Sequence, residues 1–305
     1  MGVAGLGYMG LATALGFAAH GVRVLGYDVR VDLRQSLAAG RAEIHEPGLP
    51  DLLRRELRSG RFRVVDSWSE LARGASILFL CLPTPAGPGG RIDLRPLADG
   101  IRQLGAALRP IPGRRLVVVK SSVTSGTTET ILRPLLEAAA GKSSAELSVA
   151  TNPEFLAEGT MVGDVLHPER IVIGVSRPRD QRLLRRLYGR FGAPIVTLST
   201  SGAELVKYAS NAFLATKVTL ANEFARVAET VGVDVDPVMA AVGLDSRIGG
   251  KFLAAGPGFG GSCFEKDIRA VLGSAHRSGL RLPALEAVVR SNAGQAAHAY
   301  SLVRH

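Results

Sequence analysis

The sequence predicts an α/β protein, a doubly wound parallel sheet followed by an all-helical domain, and three observations carry that expectation. Short apolar runs of strand length alternate with helical stretches through residues 1–200. From Ser201 the period turns helical and stays so to Gly232, a run of about 30 residues. The chain has 305 residues, 46% hydrophobic and 21% charged, which is enough apolar material for more than one core. The expected division is 1–200 for the sheet domain and 201–305 for the helical, dimer-forming one.

The bulk numbers also exclude classes. No apolar run of about 18 residues lacks a charge or a breaker, and no signal-peptide pattern precedes the first glycines, so the chain reads as soluble and cytoplasmic, with no membrane partner. Two cysteines, Cys81 and Cys263, give neither a disulfide framework nor a zinc spacing, so no metal is expected. The net charge of +10 is dispersed over helix faces without interleaved aromatics. That pattern argues against nucleic acid and leaves an anionic small molecule as the partner. Only six of the 37 basic residues are lysines, and only four residues are asparagines. Lys120, Lys142, Lys207, Lys217, Lys251 and Lys266, with Asn152, Asn211, Asn222 and Asn292, therefore mark positions where arginine or aspartate would fail.

Taken in order, the first segment reads as strand, glycine-rich turn, helix and second strand ending at Asp28. Gly5, Gly7 and Gly10 form G-x-G-x-x-G at the strand-to-helix junction, and an acid closes the next strand 23 positions after Gly5. This is the dinucleotide fingerprint of a Rossmann-like domain, and Asp28 would accept ribose hydroxyls and repel a 2′-phosphate, favouring NAD. Arg30 is the nearby cation that could counter it. Further strands are expected at 61–66, 75–81, 114–119, 146–151 and 170–175. Their ends carry polar segments, LPTP at 82–85, KSSVTSGT at 120–127 and TNPEFLAEG at 151–159, and ligands in such sheets bind beyond those ends. The long helix opens with Ser201 and Glu204 as a capping box and places Lys207 and Asn211 on one face, one turn apart. The run KFLAAGPGFGGSC has too many glycines for regular structure, and CFEKDIRAVLG resumes helical spacing. Cys263 is thus expected at a helix N-terminus, where the dipole and unpaired amides favour a thiolate, whereas Cys81 ends an apolar strand and reads as a buried core residue.

The segments GLGYMGL, EPGL at 46–49, LPTP, KSSV, NPEFLAEG, AELVKYASNAFLA, NE at 222–223, DSRIGGKFL and GFGGSCFEKD together resemble the UDP-glucose 6-dehydrogenase branch of the UDP-glucose/GDP-mannose dehydrogenase family over almost the whole chain. The resemblance implies a four-electron oxidation of a nucleotide-sugar C6 alcohol to the carboxylate, UDP-glucose to UDP-glucuronate, with two NAD in succession. Cys263 would trap the intermediate aldehyde as a thiohemiacetal, which a second oxidation converts to a thioester for water to hydrolyse. The resemblance assigns oxyanion stabilisation to Lys207 and Asn211, the hydrolytic water to Asp267, and water, proton or substrate handling to Glu154 and Glu158. Ser122 would serve both catalysis and cofactor. Phe155, Leu156, Lys251, Phe252 and Gly260 would hold the nucleotide-sugar, with Arg247 reaching it from a neighbouring subunit of a homodimer or higher homo-oligomer. Tyr8, Met9, Thr84, Glu158 and Lys266 would complete the NAD contacts.

The chain departs from the family pattern in places. Lys120, Ser121, Ser122, Val123 and Thr124 stand where the family usually has Lys-Ser-Thr-Val-Pro. The sequence stops at His305, where the family continues into a third, UDP-binding domain; either these residues are a fragment or the nucleotide pocket is open on one side. Two other readings follow: a truncated NAD-binding relative without turnover, and a single-hydride 3-hydroxyacid dehydrogenase, which shares GLGxMG and Lys-x-x-x-Asn but needs no cysteine.

Overall fold

The computed structural model describes residues 1–261 and 263–303; Ser262, inside the GFGGSCFEKD motif, and Arg304 and His305 lie outside the described residues. Eight strands form one sheet: β1 (Gly2–Ala4), β2 (Val24–Tyr27), β3 (Phe62–Val64), β4 (Ile77–Leu80), β5 (Arg115–Val119), β6 (Leu147–Thr151), β7 (Ile171–Gly174) and β8 (Ile195–Leu198). Their order is β3-β2-β1-β4-β5-β6-β7-β8. Helices α1 (Tyr8–Ala19), α2 (Val31–Ala38), α3 (Leu49–Arg58), α4 (Trp68–Gly74), α5 (Arg95–Leu108), α6 (Arg133–Ala140), α7 (Met161–Leu166) and α8 (Pro178–Tyr188) connect them. Then come α9 (Thr200–Val231), α10 (Val235–Gly243), α11 (Phe264–Arg277) and α12 (Pro283–Val303).

Alternate residues along each inner strand feed opposite faces. Val3, Phe79, Val118 and Ala150 belong to one core with Leu11, Leu15 and Phe17 of α1. Ala4, Leu78, Leu80, Val117 and Val119 belong to the other, with Leu97, Ile101 and Leu104 of α5. A sheet covered on both faces needs strands that are apolar throughout, and ILFL of β4 is buried at all four positions. The first core is tightened by aromatic contacts of Phe17 with Phe79 at 5.4 Å and with Tyr188 at 5.0 Å.

The structure corrects the sequence reading in three places. The sheet is not parallel throughout: β7 meets β6 antiparallel through Thr151 and Gly174, and β8 then pairs parallel with β7. A strand buried on both faces reads the same in either direction, so periodicity carries no sign of the reversal. Strand β8 is an addition to the expected strands; it is short, Ile195–Leu198, and mostly half-buried, with Val196 exposed. The capping box is also displaced. Ser199 caps α9 by accepting from the Gly202 N–H at 3.1 Å, while the Glu204 carboxylate accepts from the Gly126 and Thr128 N–H groups at 2.6 and 2.9 Å. A buried acid thus serves a loop 76 residues away in sequence, and burial raises its pKa.

The chain divides into two compact units, Met1–Thr84 with Asp93–Lys207, and Pro85–Ile92 with Tyr208–His305. In the second unit the 85–92 segment lies against α11: a Cβ on Gly273 would come within 2.8 Å of the Gly89 carbonyl oxygen, and one on Gly90 within 2.4 Å of the Arg269 carbonyl oxygen. Glycine is required there for close approach of backbones. Its small cores gather Ala215, Ile268 and Val288, and Ala221, Met239 and Leu253. Among the described residues no helix is long and apolar enough to cross a membrane.

Because Phe79 is fully buried in the aromatic cluster, Phe79→Ala is expected to destabilise the protein by about 3–5 kcal/mol. Urea unfolding checks this, and a loss under about 1 kcal/mol would show that the cluster collapses onto the gap.

Candidate active site

The turn between β1 and α1 assigns each fingerprint glycine a separate task. Gly5 has a φ of 86°, in the left-handed region. A Cβ on Gly10 would stand 1.7 Å from the Gly5 carbonyl oxygen, so only glycine lets α1 pack on the turn. Gly7, at the N-cap of α1, differs: apart from its own chain neighbours, no heavy atom lies within 4 Å of where its Cβ would be. That opening at a helix N-terminus is what a pyrophosphate requires. The Asp28 carboxylate is fixed beside the turn, accepting from the Leu6 N–H at 2.7 Å and the Arg30 N–H at 3.0 Å. The Arg30 guanidinium pairs at the surface with Asp32 and Glu43. These residues fit NAD.

Tyr8 and Met9 open α1 half-buried. The Tyr8 hydroxyl donates to Glu46 Oε1 at 2.6 Å, and the same oxygen accepts from the Gly159 N–H at 2.7 Å. The Tyr8 hydrogen bond holds the Glu46 carboxyl below its usual range, while burial and Glu46 push the Tyr8 phenol up. Glu46 thereby ties the glycine-rich turn to the NPEFLAEG loop.

At the ends of β5 and β6, Lys120 is buried and donates from Nζ to Asn152 Oδ1 at 2.8 Å, an oxygen that also accepts from the Tyr188 hydroxyl. The Asn152 amide donates to the Val172 carbonyl at 2.8 Å. Aspartate could accept from Lys120 but could not donate to Val172. Burial pushes the Lys120 ammonium pKa down. Two residues beyond Asn152, Glu154 Oε2 accepts from the Leu156 N–H at 2.7 Å and Oε1 pairs with Lys207 Nζ at 2.7 Å; both side chains are largely enclosed. The Phe155 ring lies 5.9 Å from the same Nζ. Thr84 and Ser122 are half-buried at their strand ends, and Glu158 is exposed. Burial pushes the Cys81 thiol up to about 12, as befits an inert core residue.

In the second unit Cys263 is the N-cap of α11 and is exposed. Its carbonyl accepts from the Asp267 N–H at 2.9 Å. The buried Asp267 carboxylate accepts from the Asn211 amide at 2.7 Å and pairs with Lys266 at 2.5 Å. Phe252 holds a left-handed φ of 65° and packs its ring 6.1 Å from Phe264, next to Cys263. Arg247 is exposed and turned onto Asp245 at 2.6 Å; Lys251 and Gly260 are also exposed. The structure therefore gathers Glu154, Phe155, Leu156 and Lys207 in one unit and Asn211, Cys263, Lys266 and Asp267 in the other, and leaves Arg247 outside both groups. Sequence reading gave Glu46 no role although EPGL was in view, and it gave the rare Lys120 and Asn152 no partner.

Residues 1–192 match the pattern described as UDP-glucose/GDP-mannose dehydrogenase family, NAD binding domain, and residues 201–294 match that family's central domain. The UDP-glucose 6-dehydrogenase AglM of Haloferax volcanii is 40% identical over 310 residues, spanning 100% of this chain and 72% of the relative. A GDP-mannose 6-dehydrogenase of Azotobacter vinelandii is 36% identical over 302 residues, 98% of this chain and 69% of its own. The structure of a UDP-glucose dehydrogenase from the hyperthermophilic archaeon Pyrobaculum islandicum superposes with a TM-score of 0.92 at 44% identity, covering 95% of this chain and 67% of that one.

Asp28→Asn keeps an acceptor for Leu6 and removes the charge. It is expected to cut the preference for NAD over NADP by about tenfold, read by calorimetry; an unchanged ratio would take Asp28 out of cofactor choice.

Proposed function

Since the chain belongs to the UDP-glucose/GDP-mannose dehydrogenase family, whose members are NAD-dependent nucleotide-sugar dehydrogenases, we propose that it oxidises the C6 alcohol of a nucleotide-sugar, UDP-glucose first, to the carboxylate in the cytoplasm. Residues 1–200 would hold NAD and residues 201–305 would supply the nucleophile. The observation that carries the proposal is Cys263, exposed at the N-cap of α11 while the other cysteine is buried. A single-hydride dehydrogenase has no use for a thiol there.

NAD, when bound, supplies the hydride acceptor for both oxidations. The chain does the rest. The Cys263 thiolate adds to the C6 aldehyde, forming a C–S bond and a thiohemiacetal that cannot leave half-oxidised; after the second two-electron loss the thioester is cleaved by water, which releases the carboxylate and the thiol. Lys207 places a cation beside Glu154, so it would meet the C6 oxyanion while Glu154 handles a proton or water. Asn211 has two amide hydrogens and gives one to Asp267; the second is the donor assigned to the oxyanion. Asp267, one turn from the sulfur, orients Asn211 and would hold the hydrolytic water. Ser122 and Glu158 would serve the cofactor, and Arg247, a partner copy's substrate.

The test is the count of NADH formed per UDP-glucose consumed. Two per sugar, with Cys263→Ala losing carboxylate formation by about a thousandfold or more, is the expected result. One NADH per sugar would mean that oxidation stops at the aldehyde and would remove the thioester route; NADH from a 3-hydroxyacid and none from any nucleotide-sugar would establish the single-hydride reading, and NAD binding without turnover of either would establish the non-catalytic one.

A further inference from the structure

The loop that delivers Cys263 is unusual in being gripped through its backbone by side-chain amides from two helices. Residues 256–261 contain four glycines and a proline, and Gly258 and Gly261 have φ of 103° and 75°. Such a segment has no conformation of its own to hold a thiol in place. Asn222 of α9 accepts from the Gly256 N–H at 2.8 Å, and Gln295 of α12 donates to the Gly256 carbonyl at 2.8 Å. One turn away on α12, Asn292 takes both peptide groups of Phe259: its Oδ1 accepts from the Phe259 N–H at 2.8 Å and its Nδ2 donates to the Phe259 carbonyl at 3.0 Å.

This second grip is stereochemically demanding. Only a side chain that both donates and accepts can close the pair, and of the side chains of this length that is the asparagine amide. The close approach extends to the neighbouring residue, because a Cβ on Gly258 would come within 2.7 Å of Asn292 Oδ1. Phe259 also sends its ring into the small core around Ile268 and Val288, where it meets Phe264 edge-on at 5.9 Å. Phe259 is thus held through backbone and ring, and Phe264 begins α11. Cys263 sits on the short glycine-rich span between the two.

We propose that Asn292 is a positioning residue for the reacting sulfur: by bonding both peptide groups of Phe259 it fixes the path of the 256–261 loop and hence where Cys263 stands at the N-terminus of α11. The inference rests on the proposed thiol chemistry, so its test needs a readout that does not require turnover. Asn292→Asp keeps the shape but presents a carboxylate oxygen to the Phe259 carbonyl, two acceptors facing each other; protonation restores a donor. Sulfur placement in this variant should therefore recover as pH falls.

The experiment measures the alkylation rate of the Cys263 thiol by iodoacetamide, Cys81 being buried, in Asn292→Asp relative to the unaltered protein at each of several pH values between about 8 and 4.5, a span that reaches down to where a carboxyl of ordinary pKa about 3.9, raised by a facing carbonyl, gains its proton. NADH formation and thermal unfolding are followed alongside. The rate ratio is expected to depart from one by about fivefold or more at the upper pH and to return toward one at the lower, with kcat for NADH following it and the KM for NAD unmoved. Gly258→Ala, which displaces the same amide from the other side, should reproduce the effect without its pH dependence, and it decides the question if the Asp variant fails to fold. Unaltered alkylation in both folded variants, or a pH-independent change in Asn292→Asp, overturns the proposal. If the unaltered protein makes no NADH from any nucleotide-sugar, the proposed function fails while the alkylation ratio still decides the role of Asn292.

Discussion

The constraint on which the rest of the structure depends is that the inner strands are covered on both faces. A strand such as β4, buried at every position, cannot carry a charge along its length without leaving it unsolvated in the core. Polar residues are driven to the strand ends, and Lys120, Asn152 and Glu154 all appear there, just past β5 and β6. The location of this chemistry thus follows from the burial that builds the fold.

What keeps those polar residues tolerable in semi-buried positions is mutual satisfaction. Lys120, Asn152, Tyr188 and the Val172 carbonyl form one connected set, and Glu154 has the Leu156 N–H for one oxygen and Lys207 for the other. In the second unit Asp267 is served by Asn211 and Lys266. Removing one member of any such set strands the others, which gives each set a stake in the position of its neighbours. Five of the ten lysines and asparagines of this arginine-rich chain, Lys120, Asn152, Lys207, Asn211 and Lys266, belong to these sets. Lys217 gives its ammonium to the Ile248 and Gly249 carbonyls, a task for a compact head rather than a planar fork.

Local features were legible in the sequence to the extent that their causes are local. The glycine spacing announced a turn whose φ and close approaches require glycine, and the resumption of helical period after the glycine run placed Cys263 at the start of α11. Features set by distant partners were not. Ser201 and Glu204 satisfy the local rule for a capping box, yet Glu204 finds a better use closing the amides of Gly126 and Thr128, while Ser199 takes the cap. The reversal at β6 and β7 left no trace because apolar runs have no direction. Asn292 stood out only by rarity, and its partner Phe259 lies 33 residues away.

Within the second unit, α9 spaces its side chains along a continuous helix. Asn211 and Asn222 are eleven positions apart on it, so their backbone separation along the axis, about 16 Å, is set by consecutive main-chain hydrogen bonds and not by any loop. Asn222, further along the same helix, reaches the 256–261 loop. Asn211, proposed for the oxyanion, and Asn222, which bonds the cysteine loop, are therefore spaced by one helix of the second unit. The segment that leads to the cysteine lacks that rigidity, and it is on this segment that the amides of Asn222, Asn292 and Gln295 converge. Regular structure supplies the ruler where it can, and side-chain amides substitute for it where glycine makes regular structure impossible.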